Sequence, residues 1–114
     1  MKMEISKKLK ELGIPTNLLG YGYLRYAIQY VMENPESLHR ITKELYPEVA
    51  REFKTTASRA ERAIRHAIEM ACLRGSTDLL YEMFRYSISS DKGKPTNSEF
   101  IATVADVMLL EKVS

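Results

Sequence analysis

The chain has 114 residues, 45% hydrophobic and 28% charged, a composition that supplies one soluble core and leaves no room for two catalytic lobes. Ala, Leu, Met, Glu, Lys and Arg are plentiful, Trp is absent, and only four Pro and five Gly interrupt the chain, so helix is favoured over an all-β fold. The net charge is only +2, yet six basic against three acidic residues in 51–74 give that segment +3 and leave −1 for the other ninety residues.

The longest apolar runs, at 70–73 and 107–110, span four residues each, far short of the roughly 20 that cross a bilayer, so no membrane span is expected. The N-terminal MKMEISKKLKEL is charged throughout and lacks the apolar stretch of a secretory signal, so a cytoplasmic address is expected. Cys72 is alone and cannot form an internal disulfide, and His39 and His66 lie too far apart for metal-ligand spacing. No structural metal and no cofactor are expected.

Ile5, Leu9 and Leu12 predict a short amphipathic helix closed by Gly13 and Pro15. Asn17 is a candidate N-cap for a second helix, whose Leu24, Ala27, Ile28, Val31 and Met32 keep helical spacing until Asn34 and Pro35. Four tyrosines crowd this helix, and Gly20 and Gly22 loosen its first turn. The GYGY string lacks the preceding strand and wider glycine spacing of a phosphate loop and reads as packing. Pro35 opens a third helix with Leu38, Ile41 and Leu45 on one face, and Pro47 opens a fourth, short one that buries Val49, Ala50 and Phe53. After Lys54, Thr55 and Thr56 a fifth helix runs over about 57–74, with Ala60, Ile64, Ala67, Ile68 and Ala71 as its core stripe and Gly75 as its C′ residue. Ser76 or Thr77 caps a sixth helix carrying Leu79, Leu80, Met83 and Phe84, and SSDKGKP at 89–95 is a loop. Thr96 and Glu99 form a T-x-x-E capping box before a last helix with Phe100, Ile101, Val104, Val107 and Met108. The expectation is an all-α bundle of six to seven helices.

The stretch YPEVAREFKTTASRAERAIRHAIEMA, residues 46–71, carries a mechanism. A short helix, a tight turn and a longer helix with a basic outer face have the layout of a helix-turn-helix, here about 47–74, whose second helix enters the DNA major groove. Ala50 and the Ala57, Ala60 and Ala63 series permit close crossing, with Phe53 and Ile64 sealing the joint. With Ile64 set to zero, Arg59, Arg62 and His66 fall at about 220°, 160° and 200°, opposite the core stripe, while Arg65 and Glu61 lie on the flank at about 100° and 60°. Arginine matches the O6 and N7 acceptors of guanine. A basic face is also what an ordinary solvated helix presents. Glu61 has two structural alternatives, an i,i+4 pair with Arg65 or a capping box with Ser58. Lys54 and Thr55 occupy the turn positions where a glycine and an apolar residue are common.

TTASRAERAIRHAIEMA followed by RG, and later KPTNSEFIA, resemble the C-terminal effector domain of the sporulation-initiation response regulators of endospore-forming bacteria. GYGYLRYAI, ITKELYPEVAREF and VADVMLLE resemble further segments in the same order, so the likeness runs from about Ile5 onward. The resemblance implies an all-helical domain that binds a TGTCGAA-type box and activates or represses transcription. Family proteins carry a phosphorylatable receiver domain before it, and no such strand-helix alternation occurs here, so an isolated effector domain is expected. Carried over, Arg59, Glu61 and Arg62 are base readers, while Arg65, Ser58, Thr55 and Lys54 meet the DNA backbone. The resemblance further implies an RNA polymerase sigma-factor contact over about 75–88, with Leu79, Tyr81, Phe84 and Ile88 as candidates. Leu79, Phe84 and Ile88 equally fit core positions at helical spacing. Self-association on tandem DNA boxes is expected, with a free chain that is mainly monomeric.

The alternative is a helical interaction module whose basic helix binds an acidic protein partner. DNA binding would instead weaken steeply with salt and prefer one box over scrambled duplex. No enzyme is expected. Neither histidine has a Ser, Cys or carboxylate partner at a known catalytic spacing, and Cys72 sits toward the apolar side of its helix.

Overall fold

A computed structural model describes residues 2–74, 82 and 94–113, and every regular element among them is helical. The α-helices are α1 (Lys2–Glu11), α2 (Leu19–Glu33), α3 (Tyr46–Phe53), α4 (Ala57–Arg74) and α5 (Asn97–Val113). Apart from residue 82, the expected sixth helix, the Gly75 end of the fifth and most of the 89–95 loop lie outside the described residues.

Each helix follows from its apolar spacing and its ends. Ile5 and Leu9 of α1, and Leu12 just after it, are fully buried. The helix stops where Gly13 takes φ 91°, with the Gly13 amide donating to the Lys10 carbonyl and the Ile14 amide to the Leu9 carbonyl, both at 3.0 Å. This pair of bonds is a Schellman ending, and buried Ile14 packs back toward Leu9 as such endings favour. Helix α2 begins after Leu18, whose extended backbone makes no side-chain cap, so the expected cap at Asn17 is not used. It ends where the Asn34 amide donates to the Tyr30 carbonyl at 2.7 Å, just ahead of Pro35.

The third expected α-helix is instead a 3-10 stretch over Pro35–Arg40 followed by a π turn over Ile41–Leu45. The Ser37 amide and hydroxyl both turn back to the Asn34 carbonyl, at 3.0 and 2.7 Å, which tightens the first turn to i,i+3 spacing. Arg40 then leaves the helical region at φ −132° and ψ 44°. The Tyr46 amide reaches five residues back to the Ile41 carbonyl, widening the turn just before Pro47, which has no amide to donate. Leu45 is buried, whereas Leu38 and Ile41 pack at the edge of the core.

Helix α4 buries Ala60, Ile64, Ala67, Ile68 and Ala71, the stripe its spacing predicts. At the start of α5 the capping box forms as expected. The Thr96 amide donates to Glu99 Oε1 at 2.8 Å and the Glu99 amide to Thr96 Oγ1 at 3.1 Å. Phe100, Ile101, Val104 and Met108 of α5 then meet Leu24, Ile28 and Val31 of α2 in one core, with α1 laid across its side.

Helix α2 packs against both α4 and α5, and its approach to α4 is unusually close. A Cβ on Gly20 would collide with the Ala63 carbonyl oxygen and come within 2.7 Å of the Ala67 methyl. Gly20 therefore serves backbone contact with α4 and does not loosen its helix. At Gly22 a Cβ would meet only the Phe53 ring, at 3.8 Å. Gly20→Ala should thus destabilise by about 1–3 kcal/mol, the range of overpacked cores, despite its better helix propensity. Gly22→Ala should be neutral or stabilise by up to about 1 kcal/mol. Thermal unfolding of the two variants checks both signs, and equal tolerance at Gly20 would contradict the close crossing.

Candidate nucleic-acid interface

The α3–turn–α4 unit is closed at both sides of its turn. Lys54 adopts the left-handed conformation, φ 53° and ψ 51°, and the Thr55 amide donates to the Ala50 carbonyl at 2.9 Å. The Lys54 amide turns to the same carbonyl, so α3 closes in a left-handed ending with lysine where glycine is usual. The first turn of α4 is capped by Thr56, whose Oγ1 accepts the Arg59 amide at 3.1 Å. The capping box proposed for Ser58 and Glu61 does not form. Glu61 instead takes its other alternative, accepting two hydrogen bonds from Arg65 Nη1, the longer at 3.0 Å.

Ala50 and Ala60 are buried where α3 meets α4, as small residues at a close crossing should be. Phe53 does not seal that joint with Ile64. It lies partly exposed against α2, with its ring centroid 4.8 Å from that of Tyr23 and 5.9 Å from that of Tyr26. The aromatic crowding of α2 thus holds the end of α3. Tyr26 and one further tyrosine, Tyr30, extend the seam through their hydroxyls. Tyr26 Oη donates to Glu48 Oε2 at 2.6 Å, and Tyr30 Oη donates to Glu44 Oε2 at 2.7 Å. The Glu48 carboxylate accepting this bond, reinforced by burial and by the Glu48 and Glu52 charges, pushes the Tyr26 phenol up to about 12. Glu44 likewise pushes Tyr30 up. Hydrogen bonds from Arg51 and then Tyr26 hold Glu48 below the usual carboxylate range, and those from Tyr30 and then Arg40 do the same for Glu44.

On the outer side of α4, Arg59, Arg62, Arg65 and His66 are exposed, and Ser58 and Lys54 join them at the turn. Thr55 and Glu61 are half-buried. Among the described residues the Arg59 guanidinium has no partner, and Arg62 reaches only Ser58 Oγ, at 3.5 Å. Arg65 is tethered to Glu61, so the Glu61 carboxylate is already occupied. Among the described residues, the partnerless Arg59 and the loosely held Arg62 thus stand at the N-terminal half of α4 and a paired arginine on its flank. Leu79, Tyr81, Phe84 and Ile88 lie outside the described residues.

Sequence reasoning missed Asn97 and the tyrosine seam. The Asn97 amide donates to the Tyr46 hydroxyl at 3.0 Å and to the Glu61 carbonyl at 3.1 Å, beside a cleft of about 540 Å³ that Ile41, Arg65, Ile68 and Lys94 also line. No local signal marks Asn97, because both of its acceptors lie far along the chain. Across the cleft Lys94 Nζ pairs with Glu69 Oε2 at 3.0 Å. Cys72 is half-buried and its burial pushes the thiol up, which keeps it protonated and a poor nucleophile.

The family model described as sporulation initiation factor Spo0A C terminal matches residues 5–108, from the first buried position of α1 to the last of α5.

Two outcomes follow from the geometry of the turn and the seam. Lys54→Gly removes a left-handed side chain that costs about 1–2 kcal/mol and adds about 0.5–1 kcal/mol of glycine entropy, so the variant should be modestly more stable. Its melting temperature, measured by circular dichroism, should rise, and a fall would refute the strain. For Tyr26 the folded-state pKa lies above the ordinary 10, so the contribution of its hydrogen bond is present below pH 10 and disappears as pH rises through about 12. Glu44 and Glu48 act oppositely, their contributions being present above pH 4.5 and lost as pH falls below it. Tyrosinate absorbance should show a late ionisation near 12 that moves back toward 10 in Glu48→Gln. Ionisation of every tyrosine near 10 in the unaltered chain would contradict the seam.

Proposed function

The chain belongs to the Spo0A C-terminal family of DNA-binding sporulation regulators, and from that premise we propose that it reads a short TGTCGAA-type box with α4 in the major groove. In this reading it activates some promoters and represses others. The observation that carries it is the arrangement of α4, where Arg59, Arg62 and His66 stand exposed together, directly opposite a fully buried alanine and isoleucine stripe. A helix supported so completely from behind can enter a groove without rearrangement.

Arg59 and Arg62 are the base readers in this proposal, each able to present two donors to O6 and N7 of guanine. Glu61 joins them as an acceptor for the amino group of cytosine, provided Arg65 shares its donors between Glu61 and a phosphate. Arg65, Ser58, Thr55 and Lys54 line the path of the backbone. The left-handed turn at Lys54 supports this, because it presents an exposed cation beside the N-terminus of α4, where the helix dipole also favours a phosphate. The residue 75–88 segment is proposed to contact the polymerase sigma factor, and tandem boxes to bring two copies together. Both proposals rest on family membership. The chain acts in this reading as a single effector domain with its helix-turn-helix at about 47–74.

A gel shift comparing a TGTCGAA duplex with a scrambled one tests the reading directly, with preference for the box as the expected result. Arg59→Ala or Arg62→Ala should cost about 1–3 kcal/mol on the box and much less on scrambled DNA. Arg65→Ala should weaken both duplexes alike and reduce the salt slope by about one, since a phosphate contact carries no sequence information. Uniform losses at Arg59 and Arg62 would assign them to the backbone and overturn the base-reading roles.

A further inference from the structure

The Asn97 side chain joins three helices at one nitrogen. It belongs to the first residue of α5, and Nδ2 donates to Tyr46 Oη of α3 at 3.0 Å and to the Glu61 carbonyl of α4 at 3.1 Å. Both amide hydrogens are thereby used. A carbonyl inside a helix already accepts the amide four residues on, so the bond from Asn97 is an addition to the α4 ladder and not a part of it. It falls within the turn of α4 that carries Arg59 and Arg62. Neither end of the link is loose. Asn97 follows Thr96, whose reciprocal bonds with Glu99 fix the start of α5, and Tyr46 is only 8% exposed.

We propose that Asn97 is a positioning residue for base reading, setting the angle and depth at which α4 offers Arg59 and Arg62 to the groove. The proposal deepens the α4 reading above and rests on it. A bidentate arginine–guanine pair demands close placement of a planar fork, whereas a phosphate contact tolerates displacement of a flexible cation. Loss of the Asn97 link should therefore weaken discrimination while leaving general DNA attraction in place. Neither Arg59 nor Arg62 touches Asn97 in the described contacts, so the effect passes through the α4 backbone.

The test measures affinity for a TGTCGAA duplex and a scrambled duplex at several salt concentrations, well below the melting temperature of each variant. Asn97→Ala removes both donors without changing charge. Its affinity for the box should fall about three- to tenfold, the worth of one or two net hydrogen bonds, with scrambled binding and salt slope unchanged. Asn97→Asp keeps the shape but sets a carboxylate against the Glu61 carbonyl, so discrimination should fall further, while an acid in the first turn of α5 suits the helix dipole and offsets part of the lost stability. Asn97→His, with an Nδ1–H near the place of the amide nitrogen, should recover part of the preference. Full preference in Asn97→Ala would overturn the positioning role alone. Equal losses on both duplexes, or a loss that follows the melting temperature, would make Asn97 an ordinary structural residue and also overturn it. An unaltered chain without preference for the box would instead remove the base reading on which the proposal stands.

Discussion

The approach of α2 to α4 at Gly20 is the contact on which the rest of the arrangement depends. With no side chain between them, the α2 backbone lies against the Ala63 carbonyl and the Ala67 methyl, and α4 is pressed flat along its alanine side. The outer face of α4 gains its definition from this contact. Small residues on the inner face let α2 and α3 come close, and that closeness leaves Arg59, Arg62 and His66 no direction but outward. A helix carrying the same arginines over a bulky inner face would stand farther from its supports and rotate more freely.

Three further devices secure α4 around that contact, each acting on a different part of it. Thr56 satisfies the first-turn Arg59 amide, the Lys54 ending of α3 sets the length and direction of the turn, and Asn97 reaches the Glu61 carbonyl from α5. Helix α3 and the π turn before it have their own support in the Tyr26–Glu48 and Tyr30–Glu44 bonds and in the tilted contact of Phe53 with Tyr23. The aromatic content of α2 is thus spent largely on holding α3. Polar bonds at the seam add direction to what apolar burial supplies only as area, because a phenol and a carboxylate must meet at a defined angle and distance.

The charges divide in a way that suits recognition. Glu44, Glu48, Glu61 and Glu69 each neutralise a nearby cation or accept from a tyrosine, so much of the acidic content is engaged in holding helices together. Arg59 remains without a partner among the described residues, and Arg62 has only a long contact to Ser58. An unpaired guanidinium enters a complex without first breaking an ion pair, whereas Arg65 must share with Glu61 or leave it. A small net charge is therefore compatible with a strongly directional positive face, since surface ion pairs contribute little stability but decide which cations are available.

The sequence by itself determined the helical class, the buried stripes of α1, α2, α4 and α5, and the outward grouping of Arg59, Arg62 and His66. All of these follow from a single helical period acting on residues of opposite polarity. The Thr96–Glu99 box was legible too, because both of its partners lie within one turn. Tertiary structure alone decided the rest. The 35–47 region carries helical spacing, but Pro35 and Pro47 remove donors at both ends, and the surrounding helices settle the outcome as a 3-10 stretch and a π turn. Gly20 reads as a weak spot within its own helix, and only the arrival of α4 from more than forty residues away makes it a requirement. Phe53 has the spacing of a core residue for α3 but finds its partners on α2. Asn97 has no local reason to be singled out, because its two acceptors come from residues 46 and 61. Periodicity records which way a side chain faces along its own axis, and what waits there depends on helices that are distant in the chain.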